Sequence, residues 1–261
     1  MPMQKTEFET TFNDAAMDYD QSRPMYCLAL YRDLLAYQPV GHESRALEIG
    51  MGTGKATEPV LKTGCRVAAL EPGAHLAQLA RMKLGRYENL QIIEKTLQDC
   101  ECGNESFDLV YAATAFHWIP QDYGYRRVYA LLKKGGAFAR FAYHAGPDVS
   151  RPQLTADIQR VYDHCPSLAG RYGAFTEEQA KQLSEIARDY GFAQTAYHLY
   201  HWTKAFTADE YMKLLRTYPD HMHLEKAERD ELFAGIHRAI NRHGGVLDVH
   251  YTADMQLARK E

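Results

Sequence analysis

A short apolar strand that runs directly into a glycine-rich loop constrains this chain more than any other feature of its sequence. The strand is Ala46-Leu47-Glu48-Ile49, the loop is Gly50-Met51-Gly52-Thr53-Gly54, and the pattern predicts a helix from about Lys55. Glycines let a backbone pass close to a ligand, and the first turn of a following helix offers unpaired N–H groups. We therefore expect a ligand site at the carboxyl end of this strand.

The apolar pattern after residue 45 alternates between short strands and amphipathic helices. Strands are predicted at 46–49, 67–70, 90–93, 107–112 and 137–143, with Lys133-Lys134-Gly135-Gly136 as the turn before the fifth. Repeated β-α-β crossovers of this kind indicate a parallel, doubly wound α/β sheet. Alternating runs near 195–202 and 246–257 add strands six and seven. The expected fold is a Rossmann-like, seven-stranded, mostly parallel sheet with an antiparallel last strand and a helical cap inserted after strand five.

Composition and charge exclude several classes of protein. The chain is 46% hydrophobic and 25% charged, which is typical of a globular protein. Its net charge is −4 and it has no basic run, which argues against nucleic acid as a partner. We expect no membrane association, because no segment approaches the roughly 20 apolar residues of a membrane span. The oligomeric state is left open.

The five cysteines are few and scattered. This usage predicts a reduced, cytoplasmic protein. The pair Cys100 and Cys102 is interpreted as two ordinary loop thiols, because no second pair completes a zinc site. No metal is predicted.

Spacing separates three interpretations of the glycine loop. A phosphate-binding P-loop requires a glycine where Ile49 stands and a hydroxyl residue where Ala56 stands. A dinucleotide site of the G-x-G-x-x-G type requires a third glycine at position 55, which is Lys55. The remaining pattern is E-x-G-x-G-x-G, with an acidic residue, Glu71, at the end of the second strand.

This arrangement resembles the class I S-adenosylmethionine-dependent methyltransferases, in particular the methyltransferase type 11 branch that includes the trans-aconitate methyltransferases. The resemblance covers roughly residues 8–145. It rests on the following motifs: Glu48 to Gly54, Leu70-Glu71-Pro72, Ser106-Phe107-Asp108-Leu109-Val110, Ala115-Phe116-His117-Trp118 and Leu131 to Gly136, with Tyr19, Arg23-Pro24 and Thr217-Tyr218 shared with the branch.

The resemblance implies S-adenosylmethionine as the cofactor and a set of residues that bind it. Glu71 would accept hydrogen bonds from the ribose hydroxyls, Glu48 would lie near the cofactor's ammonium group, and Arg23 would face its carboxylate. The implied cofactor-binding residues are Tyr19, Arg23, Glu48, Gly50, Gly52, Thr53, Glu71, Pro72, Thr96, Leu97 and Ala113.

The implied reaction is transfer of the sulfonium methyl group to a small-molecule acceptor by in-line displacement. His117 is the expected base or orienting residue, because it follows strand four and a neutral imidazole suits proton transfer near pH 7. The tyrosines and histidines concentrate after residue 110, where the acceptor would be enclosed. The expected acceptor pocket contains His117, Trp118, Tyr143, Thr217 and Tyr218.

The expected domain organisation follows from the resemblance and the pattern together. Residues 1–145 would form the cofactor-binding core with its N-terminal lid helices, residues 146–192 a helical cap, and residues 193–261 the last two strands with their helices. The alternative functions are a non-catalytic regulatory protein that binds the cofactor and, less favoured because of Lys55, an NAD-dependent dehydrogenase.

Overall fold

A computed structural model describes residue 20 and residues 22–168 and 174–261, which contain a seven-stranded sheet. The helices are α1 (Leu28–Tyr37), α2 (Thr57–Leu61), α3 (Ala74–Leu84), α4 (Gln121–Leu131), α5 (Pro152–Asp163), α6 (Glu177–Glu185), α7 (Ala208–Leu215), α8 (Pro219–Met222) and α9 (Lys226–Arg242). The strands are β1 (Arg45–Ile49), β2 (Arg66–Leu70), β3 (Leu90–Ile93), β4 (Phe107–Ala113), β5 (Leu132–Gly146), β6 (Ala193–Thr207) and β7 (Val246–Arg259). Short 3₁₀ turns occur at Phe116–Trp118, Pro166–Leu168 and Ile186–Tyr190.

The strand order confirms the predicted doubly wound sheet. The strands lie in the order β3-β2-β1-β4-β5-β7-β6, and each neighbouring pair from β3 to β5 is parallel. The last strands are antiparallel. The chain moves outward from β1 through β2 to β3 and then returns to the other side of β1 with β4. At such a reversal the loops at the carboxyl ends of the two central strands diverge, which is where open α/β sheets bind ligands.

Three predicted elements differ from those observed. Lys133 to Gly136 lie within β5 and do not form the predicted turn. These residues bulge out of the pairing between β4 and β5, where Gly135 adopts a φ of +78°. They stay in the sheet because the Gly135 amide donates to the Lys260 carbonyl and the Lys260 amide donates to the Gly136 carbonyl. The predicted helix from Lys55 is reduced to the five residues of α2. The predicted strand at 195–202 extends over 15 residues as β6.

The described residues form two compact units, each assembled from separate stretches of chain. The sheet unit consists of residues 25–143, 176–200 and 253–261. The helical unit consists of residues 20, 22–24, 144–168, 174–175 and 201–252.

The central strands of the sheet unit are buried because helices cover both faces of the sheet. On one face, Leu47 and Val110 pack in a core cluster with Val128 of α4. Because side chains alternate along a strand, Glu48 and Tyr111 point to the opposite face. Four of the five residues of β1 are buried, as expected for a strand covered on both sides.

Helix α9 organises the helical unit. It packs against α5 and α7. Gly235 permits a close approach to α5, since a Cβ at this position would lie 2.7 Å from Cγ1 of Val161. Helix α7 begins after the N-cap Thr207, whose side chain accepts a bond from the Glu210 amide while the Glu210 carboxylate accepts one from the Thr207 amide.

Cys100 and Cys102 form a disulfide, so the interpretation of this pair as free thiols is wrong. Their Cα atoms are 5.4 Å apart, within the range that a disulfide spans. Cys27, Cys65 and Cys165 are free. Within the described ranges, no helix is both long and apolar enough to cross a membrane.

The loop after β1 packs tightly against the turn after β4. Gly50 has a φ of +68°, a left-handed conformation that disfavours any other residue. A Cβ at this position would also lie 2.6 Å from the Cβ of Ala115. Position 50 therefore requires glycine for two independent reasons.

We expect Gly50→Ala to lower the free energy of unfolding by about 2–5 kcal/mol, since it adds overpacking to backbone strain. Gly135→Ala is the matched control. Its φ is also positive, at +78°, but apart from its two chain neighbours no atom of a described residue lies within 4 Å of the added Cβ. The control should lose only about 1–2 kcal/mol. Urea unfolding of both variants measures the difference, and equal losses would contradict the predicted clash with Ala115.

Candidate functional site

Three loops at the carboxyl ends of β1, β2 and β3 are tied together by backbone hydrogen bonds. The Met51 amide donates to the Leu70 carbonyl at 3.0 Å, and the Glu71 amide donates to the Ile93 carbonyl at 3.0 Å. These bonds hold the glycine loop beside the end of β2. The glycine loop and the acidic residue Glu71, which the sequence predicts to act together, therefore lie next to each other in the structure.

Glu71 is buried and its carboxylate is held at both oxygens. Oε2 accepts from the Gly52 amide at 2.7 Å, and Oε1 accepts from the Gly73 amide at 2.8 Å. These two backbone bonds fix the orientation of the carboxylate. The neighbouring Pro72 is exposed and Thr53 is buried.

Glu48 is fully buried and only partly satisfied. The Tyr111 hydroxyl donates to its Oε2 at 2.8 Å. Among the described residues, its Oε1 has no hydrogen-bond partner, and neither do the buried hydroxyls of Thr57 and Tyr31. Burial raises the pKa of Glu48 to about 7, although the neighbouring Thr57 and Tyr111 hydroxyls oppose this rise.

The loop after β3 contains the predicted pair Thr96 and Leu97. The Thr96 hydroxyl donates to Oδ2 of Asp99 at 2.6 Å and accepts from the Asp99 amide at 3.3 Å. Leu97 is buried, and its carbonyl accepts a 3.3 Å hydrogen bond from the Tyr123 hydroxyl of α4. The loop therefore has a defined shape.

The end of β4 makes a sharp turn at Thr114, directly after the predicted residue Ala113. Thr114 has a φ of +51°, and its amide donates to the Phe141 carbonyl at 2.7 Å. The Thr114 hydroxyl shares a 2.5 Å hydrogen bond with the Tyr26 hydroxyl. Neither Tyr26 nor Thr114 was expected from the sequence.

The predicted acceptor-side residues of the sheet unit follow this turn or lie near it. His117 is exposed on the 3₁₀ turn Phe116–Trp118, and its ring centroid lies 4.5 Å from that of Trp118. Trp118 is 47% exposed, which is unusual for so large an apolar side chain. Tyr143 packs at 5.6 Å from the ring of Tyr26.

The helical unit brings Arg23 together with Thr217 and Tyr218, two predicted residues that lie far from it in the sequence. Nε of Arg23 donates to the Thr217 hydroxyl at 3.0 Å, and its Nη2 donates to the Thr217 carbonyl at 2.8 Å. The guanidinium carbon lies 4.2 Å from the centre of the Tyr218 ring. Tyr218 in turn packs against His221, whose Nε2 lies 2.9 Å from the Tyr162 hydroxyl.

Two further expectations concern residue 19 and metal binding. Tyr19 lies outside the described residues. Within residues 20, 22–168 and 174–261, no group of three or more His, Cys, Asp or Glu side chains is placed to hold a metal ion.

Ionisation of Glu48 should make stability depend on pH with a defined sign. Between the ordinary pKa of 4.5 and the raised value of about 7, the unfolded chain loses a proton that the folded protein retains. Stability therefore falls as the pH rises through this window. Glu48→Gln cannot ionise, so its stability relative to the parent should rise across the window by up to about 3 kcal/mol.

The measurement is urea unfolding at pH 5 and pH 8, with Glu58→Gln as the control. The Tyr87 hydroxyl and neighbouring cations lower the pKa of this half-buried carboxyl below its ordinary value of 4.5, so Glu58 is ionised at both pH values and the Glu58→Gln profile should run parallel to that of the parent. Parallel pH profiles for Glu48→Gln and the parent would show that Glu48 is ionised throughout.

Comparison with known proteins supports one family. A family model described as a methyltransferase domain matches residues 47–140. An uncharacterised methyltransferase of Geobacillus sp. is 30% identical over 200 residues, which are 72% of this chain and 91% of that protein. The trans-aconitate 2-methyltransferase of Rhizobium etli is 31% identical over 111 residues, which are 41% of this chain and 42% of that enzyme.

The fold is also that of a solved methyltransferase. The phosphoethanolamine N-methyltransferase 2 of Haemonchus contortus, solved with phosphomonomethylethanolamine and S-adenosylhomocysteine, matches with a TM-score of 0.55 and 16% identity. The match covers 98% of this chain and 60% of that one. Together with the glycine loop and the strand order, these similarities establish that the chain belongs to the class I S-adenosylmethionine-dependent methyltransferases, with S-adenosylmethionine as its cofactor.

Proposed function

We propose that this chain transfers the methyl group of S-adenosylmethionine to a small-molecule acceptor by in-line displacement. When bound, the cofactor supplies a methyl group that its sulfonium charge has already activated. The residues of the chain then have two tasks, which are to hold the acceptor atom in line with the methyl group and to accept a proton where the acceptor carries one. Positioning of this kind can lower a barrier by about 7–11 kcal/mol.

The fixed carboxylate of Glu71 is the observation that carries the proposal. Two backbone amides, of Gly52 and Gly73, hold its oxygens, so the carboxylate is oriented before any ligand binds. We assign it to the two ribose hydroxyls. Gly50 and Gly52 would allow the backbone to approach the adenosyl and methionine groups, since glycine has no side chain. A side chain at position 50 would also collide with Ala115.

The remaining cofactor contacts are assigned from the resemblance together with position in the sheet unit. Thr96 and Leu97 would flank the adenine, and the carbonyl of Ala113 would accept from the methionine amine. Thr53 and Pro72 lie in the two loops that Glu71 joins. Arg23 and Tyr19 are assigned to the cofactor's methionine end by the resemblance.

Glu48 fits a ligand that carries positive charge. A buried carboxyl with one unpaired oxygen is costly to ionise alone, and a nearby ammonium group would favour its charged form. We therefore propose that Glu48 supports the cofactor's ammonium group through water or a backbone amide.

A small acceptor is favoured by charge and by the relatives. The net charge of −4 opposes binding to a polyanion such as nucleic acid. The Rhizobium relative is named for a small tricarboxylic acid, and a carboxylate acceptor is therefore one member of the proposed class. His117, Trp118 and Tyr143 are the proposed acceptor contacts of the sheet unit, and the resemblance adds Thr217 and Tyr218.

The acceptor class is tested by incubating the protein with S-adenosylmethionine and a panel of small carboxylates, amines, phenols and thiols. We expect release of S-adenosylhomocysteine above background with at least one small molecule. Release with only tRNA or protein fractions would contradict the proposal. Tight calorimetric binding of S-adenosylhomocysteine without turnover on any acceptor would instead favour the non-catalytic alternative, and tight binding of NADH the dehydrogenase.

We expect His117→Ala to lower kcat by well over tenfold while the affinity for S-adenosylhomocysteine stays unchanged. The imidazole would act on the acceptor side, where loss of a base or an orienting group slows the reaction by about 10²–10⁴-fold. His42→Ala, which removes another exposed imidazole from the sheet unit, is the control and should leave kcat unchanged. Near-native turnover of His117→Ala would exclude a role for His117 in the reaction.

A further inference from the structure

Thr114 occupies a backbone conformation that its residue type strongly disfavours. Its φ of +51° lies in the left-handed region, where a β-branched residue is a genuine outlier. Such a conformation is strained and persists only where surrounding contacts enforce it. Among the described residues other than glycine, Glu105 and Gln194 also have positive φ values, but neither is β-branched.

Two hydrogen bonds hold Thr114 in this conformation. Its amide donates to the Phe141 carbonyl at 2.7 Å, which continues the β4–β5 ladder by one residue. Its hydroxyl shares the 2.5 Å bond with the Tyr26 hydroxyl. The first bond is available to any residue, whereas the second depends on one side chain 88 positions away.

Tyr26 is itself held firmly. Its side chain is only 8% exposed. Its ring meets that of Phe141 edge-on at 4.9 Å and lies 5.6 Å from the ring of Tyr143. The same residue, Phe141, therefore supports both partners of the hydroxyl pair, which leaves the Tyr26 hydroxyl little freedom to move.

The turn at Thr114 sets the positions of its two neighbours. Ala113 precedes it, and the carbonyl that we assign to the cofactor belongs to Ala113. Ala115 follows it and packs against Gly50, with no room for a side chain between them. A change of conformation at Thr114 would therefore displace the glycine loop and the Ala113 carbonyl together.

We propose that Tyr26 is a positioning residue of the cofactor site, and that its hydroxyl acts by holding Thr114 in the left-handed conformation that places Ala113 and Gly50. This inference rests on the cofactor contacts proposed above for these two residues. It assigns no contact between Tyr26 and the reacting atoms. The action of Tyr26 is therefore indirect and can be replaced by any change that makes the turn at position 114 inherently favourable.

The first test removes the hydroxyl and keeps the ring. We expect Tyr26→Phe to weaken the binding of S-adenosylhomocysteine by about tenfold, since the strained conformation of Thr114 then loses the support of this hydroxyl. In the acceptor assay, the KM for S-adenosylmethionine should rise in step. Tyr37→Phe is the matched control, because the Tyr37 hydroxyl donates a 2.6 Å bond to the Gln194 carbonyl away from this turn. The control should bind as the parent does.

The second test is rescue. Glycine adopts a positive φ without penalty, so Thr114→Gly should no longer need the hydroxyl of Tyr26. The double variant Tyr26→Phe/Thr114→Gly should bind S-adenosylhomocysteine within about threefold of Thr114→Gly alone. Thermal unfolding of each variant shows that the protein being titrated is folded.

The outcomes separate the inference from the proposed function. Parent-like binding by Tyr26→Phe would overturn the inference and leave the cofactor contacts intact. A double variant as weak as Tyr26→Phe would also overturn it, since Tyr26 would then act on the ligand directly. Retained affinity with a lowered kcat would place Tyr26 on the acceptor instead. Failure of the parent to bind S-adenosylhomocysteine would instead contradict the proposed cofactor site.

Discussion

The close approach of Gly50 to Ala115 is the contact on which the geometry of the candidate cofactor site depends. Strands β1 and β4 are direct neighbours in the sheet, so the loops that leave their carboxyl ends compete for the same space. Both loops fit because the residues in contact are small and because the backbone turns in the left-handed conformation at Gly50 and at Thr114. As a result the backbone, with no intervening side chain, forms the edge of the sheet where a cofactor would bind.

Two buried glutamates of the sheet unit, Glu48 and Glu71, differ in how well their hydrogen-bond partners stabilise the charged carboxylate. The carboxylate of Glu71 accepts two backbone amides, which satisfy the charged form. Glu48 accepts one hydrogen bond, from the Tyr111 hydroxyl, and its other oxygen has no partner in the part of the chain that the structure describes. Burial raises its pKa to about 7. Glu71 is thus suited to accept hydrogen bonds from neutral hydroxyls. The carboxyl of Glu48, in contrast, would be stabilised in its charged form by a nearby cation.

Much of the fold could be predicted because its signals are local. Short apolar strands, helix caps such as Thr207 and the glycine loop are each read from a few adjacent residues, and the strand order confirms the doubly wound sheet they predict. The errors occur where pairing between distant strands overrides a local signal. Lys133 to Gly136 have the composition of a turn, yet they belong to β5, where Gly135 and Gly136 exchange backbone hydrogen bonds with Lys260, the residue after β7.

The sequence by itself determined the family, the position of the glycine loop and the acidic residues Glu48 and Glu71, because backbone freedom and charge are properties of single residues at fixed spacings. Only the tertiary structure decided which distant side chains pair with one another. The hydrogen bond between Tyr26 and Thr114 spans 88 positions, and that between Arg23 and Thr217 spans 194. Such contacts leave no periodic pattern in the sequence, since they depend on how separate segments meet after folding.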